Sequence, residues 1–233
     1  MNVIQLTTIA WLKKQQVYEA AKTGNIDAAY KLTIEIFCNA KRLSKIKHLG
    51  LTYPNAIITG VHAEEITGRN KIPEALAKQI GILTGLEVDK EIVQKTRVQR
   101  TGKSEIYRLA HRPKFDGKVQ AGRNYILIDD VISEGGTLNE LRYYIEQNAG
   151  KVVQMVVAGA GRYSTKIALT EKTKTEIQNK YGIIALQEFL EEFDIYAGNI
   201  GYLTESEARR IMAAGSLVET RNRILKSRQA GNA

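Results

Sequence analysis

The stretch from Tyr125 to Leu141, YILIDDVISEGGTLNEL, constrains the fold of this chain more than any other. Its continuous apolar run, residues 125–128, is typical of a strand that is covered on both faces, as in parallel sheets. Two adjacent carboxylates, Asp129 and Asp130, follow the run directly. We therefore expect them at the carboxyl end of the strand, where open α/β folds bind ligands.

The residues after the acid pair predict a tight turn and a helix. Gly135 and Gly136 allow the backbone to turn its N–H groups outward, and Thr137 is the predicted N-cap. Gly150 is the predicted C-cap. One apolar stripe supports the helix and consists of Leu138, Leu141 and Ile145. Free amides and the helix macrodipole would together bind a phosphate at this turn.

An acid pair that leads into an anion-binding turn suits a ligand with a phosphate and a diol or metal ion, such as a phosphorylated ribose. The stretch resembles the signature of the type I phosphoribosyltransferases: an apolar strand, two acids, two apolar residues and a loop ending in Gly-Gly-Thr. The resemblance implies that Asp129 and Asp130 are catalytic and hold the ribose hydroxyls, partly through magnesium. It also implies that the 5-phosphate of phosphoribosyl pyrophosphate is bound by Ser133, Glu134, Gly135, Gly136 and Thr137.

Glu134 departs from the family pattern, which has a small hydroxyl residue or alanine at this place. A carboxylate beside a phosphate is repulsive unless its side chain points away. We expect Glu134 to point outward, so that the backbone of the turn stays available to a phosphate. The alternative interpretation of the whole stretch is a solvated strand end in an unrelated α/β protein.

A second loop follows the strand predicted over Ala56–His62 and extends to Lys71. The helix after it carries Pro73 in its first turn. In the resembled family this loop binds pyrophosphate, and its sequence here is similar to the competence-associated branch. The resemblance implies that Arg69 and Lys71 meet the leaving pyrophosphate. The alternative is a surface loop with ordinary charged residues.

The polar segment 94–122 is longer than an ordinary connection within a compact domain. Its basic residues are Lys95, Arg97, Arg100, Lys103, Arg108, Arg112, Lys114 and Lys118. Such a segment could close as a lid that excludes water from a reactive sugar cation, as a flexible loop does in the family. Arg112, in HRPKFDG, resembles an arginine of the competence-associated branch, which implies that it offsets charge on pyrophosphate. A disordered basic linker is the alternative.

Composition indicates one domain in a chain of 233 residues, with 43% hydrophobic and 25% charged residues. No run of 18 apolar residues is present and the N-terminal residues lack a basic leader, so we expect a cytoplasmic protein. Cys38 is the only cysteine, which excludes an internal disulfide, and its helical context predicts a core position. The net charge of +9 suits either nucleic acid or a polyphosphate substrate.

The two ends of the chain are predicted to be helical. Residues 7–21 and 26–47 read as paired helices, and residues from 165 onward read as a helical cap that contains a capping box, Thr204 with Glu207. In the family, such helices form a hood that selects the acceptor base. Runs of this cap also resemble phosphoribosyltransferase-like segments of plasmid and phage proteins. The cap carries a basic group that either binds nucleic acid or is solvated, namely Arg209, Arg210, Arg221, Arg223, Lys226 and Arg228.

We therefore predict an α/β fold with a central, mostly parallel sheet of the type I phosphoribosyltransferase kind, N-terminal helices (1–50), a core (51–161) and a helical cap (162–233). The resemblance implies a magnesium-dependent transfer of the phosphoribosyl group to a nitrogenous base, with release of pyrophosphate. Neither a general acid nor an acceptor can be named from the residues, and formation of homo-oligomers stays open. The competing class is a non-catalytic regulator that binds phosphoribosyl pyrophosphate, a nucleotide or nucleic acid on the same fold.

Overall fold

The computed structural model describes residues 3–61, 64–65, 68–96, 104–161 and 165–231, and it gives the backbone alone for residues 64–65, 68–69 and 231. The strands are β1 (Val3–Thr8), β2 (Ile57–Gly60), β3 (Glu64–Glu65), β4 (Gly68–Arg69), β5 (Glu87–Val88), β6 (Val93–Gln94), β7 (Phe115–Asp116), β8 (Asn124–Ile132) and β9 (Lys151–Ala160). The α-helices are α1 (Ile9–Lys13), α2 (Tyr18–Lys22), α3 (Ile26–Phe37), α4 (Ala40–Thr52), α5 (Ile72–Thr84), α6 (Glu105–Ala110), α7 (Gly136–Gln147), α8 (Glu171–Lys180), α9 (Ile183–Glu192), α10 (Glu205–Ala213) and α11 (Leu217–Gly231). Short 3-10 helices at Tyr196–Gly198 and Ile200–Tyr202 lie between α9 and α10.

Five parallel strands form the central sheet in the order β1-β9-β8-β2-β5, which confirms the predicted α/β class. The central strand β8 is buried from both sides. Ile126 and Ile128 pack in one core with helices α1 to α5, whereas Tyr125 and Leu127 pack in a second core with α7. Because successive side chains of a strand point to opposite faces, helices cover both faces of the sheet.

The N-terminal part differs from the prediction of two helices. Residues 3–8 form the edge strand β1, which pairs with β9 from Val3 opposite Met155 to Thr8 opposite Ala160. The second predicted helix is divided into α3 and α4, because the side chain of Asn39 accepts a hydrogen bond from the Arg42 amide and begins a new helix. This break leaves Cys38 exposed at the end of α3, so the prediction of a core cysteine was wrong.

The described residues of the long basic segment include a strand that pairs with β6, and a helix. β6 and β7 form an antiparallel ribbon, with Val93 opposite Asp116 and Gln94 opposite Phe115. Between them, α6 buries Leu109 and Ala110 in a third core together with the helices of the cap. Residues 97–103, which carry three of the basic side chains named above, lie outside the described part of the chain.

The C-terminal cap is helical as predicted, and its capping box between Thr204 and Glu207 is confirmed. Pro73 lies in the first turn of α5, also as predicted. Among the described helices, none combines the length and the apolar character needed to cross a membrane.

Helix α7 ends differently from the prediction, with Asn148 rather than Gly150 as its C-cap. The next residue, Ala149, adopts a left-handed conformation with φ of 61°. The Gly150 amide then donates to the Ile145 carbonyl over 2.9 Å, and the Ala149 amide donates to the Glu146 carbonyl over 3.3 Å. This is a Schellman motif in which alanine holds the place that glycine normally takes.

Two adjacent substitutions in this motif should have opposite effects on stability. Ala149→Gly removes the cost of a left-handed alanine and should raise the free energy of unfolding by about 0.5–1 kcal/mol. Gly150→Ala should lower it by about 1–3 kcal/mol. The reason is that a Cβ at this position would lie 2.6 Å from Cγ2 of Ile145 and 2.9 Å from Cγ1 of Val119. Urea denaturation of both variants measures the two shifts, and equal signs would contradict the assignment.

Candidate functional site

The acid pair lies at an uncovered part of the central strand. β8 continues to Ile132, four residues beyond the predicted apolar run, so Asp129 and Asp130 are strand residues rather than loop residues. On one side they are still paired with β9, whereas β2 on the other side ends at Gly60, opposite Ile128. The two carboxylates therefore project past the end of β2, where the edge of the sheet opens into a cleft.

Both carboxylates are nearly enclosed. Asp129 is 9% exposed and Asp130 is 6% exposed. Oδ1 of Asp129 accepts a hydrogen bond from the Asp130 amide over 2.8 Å, and Nζ of Lys22 lies 3.3 Å from Oδ2 of Asp130. Burial, with the neighbouring charge of Asp130 as the next cause, raises the pKa of Asp129 well above its ordinary value. Two buried acids thus share one lysine, which favours the binding of further positive charge or of hydroxyl donors.

The turn after the acid pair presents free backbone donors. Gly135 has a φ of 82° and is the N-cap of α7, so the predicted N-cap, Thr137, instead lies within the first helical turn. The first hydrogen bond within α7 runs from the Asn139 amide to the carbonyl of the N-cap Gly135, over 3.0 Å. The amides of residues 136–138 precede that bond and have no intrahelical acceptor. They stand at the positive end of the helix dipole and form the predicted anion-binding turn.

The acid pair and the turn line the same cleft, which has a volume of about 360 Å³. Its far wall comes from the N-terminal helices and consists of Ile9, Lys13, Tyr18 and Lys22. None of these four residues was predicted to belong to the site, because they are far from the motif along the chain. Within the described ranges, the residues that line the cleft include none from the C-terminal cap. Of the two helical ends that were predicted to cover the sheet, the first helices line the cleft.

Glu134 is directed neither into bulk solvent nor wholly into the cleft. Its side chain is 15% exposed, and its Oε1 lies 4.0 Å from Nη2 of Arg210 in the cap. It lines the cleft and also a second, small cavity beside Arg210. Burial and then the charge of Glu105 raise the pKa of Glu134, while Arg108 and Arg210 oppose that shift. The Glu134 side chain therefore turns toward Arg210 of the cap, and not outward into solvent.

The second loop contributes Asn70 to the cleft, and the first turn of α5 contributes Pro73, whereas Lys71 does not line the cleft. Nζ of Lys71 is 2.8 Å from Oε2 of Glu74, and its amide donates to the Ala21 carbonyl, so this lysine joins α5 to α2. The side chain of Arg69 lies outside the described part of the chain.

Arg112 lies away from the cleft and is buried between the core and the cap. Its Nε donates to Oε1 of Glu140 on α7, and its Nη1 donates to Oε1 of Glu207 on α10 over 2.7 Å. The ring of Tyr196 stacks on the guanidinium, with Cζ of Arg112 at 4.2 Å from the ring centroid, and its hydroxyl donates to Glu207. Burial lowers the pKa of Arg112, but Glu207, Tyr196 and Glu140 together outweigh it and hold the pKa well above its ordinary value. We call these four residues the arginine cluster.

In the described part of the site, the acid pair offers two adjacent carboxylates to a metal ion. Among the described residues, no group of three or more His, Cys, Asp or Glu side chains is suitably placed for one. A magnesium ion at Asp129 and Asp130 would therefore take its other ligands from water and from the bound substrate, which is the usual arrangement for this ion. The two carboxylates fit magnesium if water and the substrate supply its remaining ligands.

The α/β fold thus brings the acid pair and the turn at the start of α7 together in one cleft, which is the candidate site. No family model matches the chain. The chain is 36% identical over 228 residues to Protein TraN of Escherichia coli, a match that covers 97% of this chain and 50% of that protein. It is 41% identical over 129 residues to an uncharacterized protein of Haemophilus influenzae, covering 55% of this chain and 28% of that protein. The chain thus spans half or less of the length of the curated relatives it matches.

Solved structures similar to the chain include adenine phosphoribosyltransferase from Leishmania tarentolae, with a TM-score of 0.37 and 13% identity, covering 73% of this chain and 83% of that one. Adenine phosphoribosyltransferase from Saccharomyces cerevisiae gives 0.36 and 16%, covering 55% of this chain and 73% of that one. Orotate phosphoribosyltransferase from Aeropyrum pernix gives 0.32 and 13%, covering 56% of this chain and 66% of that one. Likeness at this level carries no inference about activity.

Removal of the arginine from the cluster should destabilise the protein strongly. In Arg112→Met, two buried carboxylates lose their cation, which should lower the free energy of unfolding by about 3–5 kcal/mol. Arg223→Met is the matched control, because Arg223 pairs with Glu219 on the surface of α11, with side chains 52% and 48% exposed. It should change stability by less than about 0.5 kcal/mol. Urea denaturation compares the two, and a loss below about 1 kcal/mol in Arg112→Met would contradict the buried-charge interpretation.

Proposed function

We propose that the cleft binds phosphoribosyl pyrophosphate with magnesium and that the chain transfers its phosphoribosyl group to a nitrogenous base, with release of pyrophosphate. The observation that carries the proposal is the placement of the acid pair and the anion-binding turn in one cleft of about 360 Å³. A phosphorylated ribose has its hydroxyls and its phosphate at opposite ends, and the cleft offers a matching group for each. A cytoplasmic location is part of the same proposal.

In this proposal, the side chains act by position and charge. The amides at the start of α7 hold the 5-phosphate, and Asp129 and Asp130 accept hydrogen bonds from the ribose hydroxyls. As the bond to pyrophosphate breaks, positive charge develops on the ribose ring, and the buried carboxylates stabilise it. Bound magnesium would neutralise charge on the pyrophosphate. The acceptor base would enter between the ribose and the wall formed by Ile9, Lys13 and Tyr18.

The alternative is a regulator that binds the same ligand without catalysis, and Glu134 favours it because family enzymes place a small residue there. A nucleic-acid role is less favoured. The five arginines of the basic group in the cap bind within the protein: Arg209 to Glu205, Arg210 to Glu105, Arg221 to Glu192, Arg223 to Glu219, and Arg228 to the carbonyls of Ala110 and Phe193. Arginines held in this way offer less charge to phosphates of a nucleic acid.

Ligand protection followed by turnover tests the proposal. Magnesium with phosphoribosyl pyrophosphate should raise the melting temperature, because a ligand that binds only the folded state stabilises it. Pyrophosphate release is then assayed with a panel of nucleobases. Protection together with base-dependent release supports the enzyme, and protection without release favours the regulator. If neither protection nor release is observed, both the enzyme and the regulator are refuted.

The acid pair should be required for ligand binding but not for folding. In the Asp129→Asn, Asp130→Asn double variant, affinity for magnesium phosphoribosyl pyrophosphate should fall at least about 100-fold, because amides neither ligate magnesium well nor offset a sugar cation. Cooperative unfolding should be retained. Asp116→Asn is the control, since its side chain is 62% exposed and pairs with Lys95 at the surface. Calorimetry measures all three proteins, and unchanged affinity in the double variant would disprove the assignment.

A further inference from the structure

We infer that Arg108 determines the specificity of the anion-binding turn, because it offsets the charge of Glu134 and lets the turn accept a phosphomonoester. The inference rests on the proposed function in taking the turn as a phosphate site. It adds a residue that comes from the basic segment rather than from the motif, and it gives Glu134 a defined partner.

Arg108 reaches the turn from α6. Its Nη1 donates a hydrogen bond to Oγ of Ser133 over 2.8 Å, and both residues line the cleft. Ser133 is the residue at which β8 gives way to the turn, so the guanidinium stands beside the free amides of α7. A guanidinium offers several donors in a fixed plane, and this geometry matches the oxygens of a phosphate. A phosphate held by the amides would therefore meet Arg108 at the same place.

Two arginines act on Glu134, and Arg108 is the one that also lines the cleft. A small cavity is lined by Glu105, Arg108, Leu109, Glu134, Glu207 and Arg210. Arg210 forms an ion pair with Glu105 and lies 4.0 Å from Glu134, but it does not line the cleft. Arg108 and Glu134 line both the small cavity and the cleft, so they lie at the boundary between the two. Burial raises the pKa of Glu134, and the charge of Arg108 acts against that shift.

Two consequences follow for a phosphate ligand. Loss of Arg108 would remove a charged donor and would also leave the Glu134 carboxylate to repel the ligand. Loss of Glu134 alone would change less, because its charge is already offset. The two residues should therefore be coupled, and the effect of one substitution should depend on the presence of the other.

A double-mutant cycle with ribose 5-phosphate tests this coupling by calorimetry, without any need for turnover. Arg108→Gln should weaken binding by at least about tenfold, and Glu134→Gln should change it by less than about threefold. The double variant should recover most of the loss and bind within about fivefold of the unaltered chain. Arg223→Gln and Glu219→Gln are the controls, since they change net charge equally at an exposed pair outside the cleft, and each should stay within about twofold.

The inference is overturned if Arg108→Gln binds within about threefold of the unaltered chain, if Glu134→Gln restores nothing in the Arg108→Gln background, or if the unaltered chain does not bind ribose 5-phosphate. Thermal unfolding of each variant confirms that it is folded. Pyrophosphate release, assayed separately, judges the proposed function. If the predicted coupling is found but no pyrophosphate is released, the inference stands and the proposed enzymatic activity is refuted. If pyrophosphate is released but Arg108→Gln binds ribose 5-phosphate normally, the enzymatic activity stands and the inference is refuted.

Discussion

The arginine cluster is the interaction on which the arrangement of the site depends. Arg112 follows α6, Glu140 belongs to α7, and Glu207 with Tyr196 belongs to the cap, so a single guanidinium joins three separate parts of the chain. Buried charges are costly to desolvate, and removal of one member of such a cluster leaves the others as uncompensated buried charges. The helix that begins at the anion-binding turn is thereby fixed to the cap. The family resemblance implied a pyrophosphate ligand for Arg112, and the sequence of a polar segment does not reveal the acids that surround this arginine in the fold.

The local parts of the fold were predictable, since their signals lie within a few residues. The strand around Ile126, the glycine turn, the stripe on α7 and the capping box at Thr204 all depend on neighbours in sequence. Edge strand β1 was not predictable in this way. Its pairing partner is β9, about 150 residues away, and α1 follows β1 directly, so no turn in the sequence separates the strand from the helix. Tertiary pairing decided its conformation.

The same division holds for the candidate site. The motif contains the acid pair and the turn, but the basic residues next to them come from elsewhere: Lys22 on α2 pairs with Asp130, and Arg108 on α6 donates a hydrogen bond to Ser133. Each of these is one basic residue among many in the sequence, and only the packing of α2 and α6 distinguishes it. Glu134 looked incompatible with a phosphate in the sequence. In the folded chain, burial raises the pKa of its carboxyl group, and the charges of Arg108 and Arg210 act against that shift.

The edge position of β1 has a consequence for the order in which the protein is completed. During synthesis, residues 3–8 leave the ribosome long before β9 exists, and β1 has no other strand to pair with in the sheet. Because α1 follows β1 directly, the wall of the cleft that carries Ile9 and Lys13 also depends on the pairing of β1 with β9. Pairing between segments so distant in the chain must first meet the entropy cost of closing the loop between them. The wall of the cleft that follows β1 is therefore held in place only in a chain in which β1 has paired with β9.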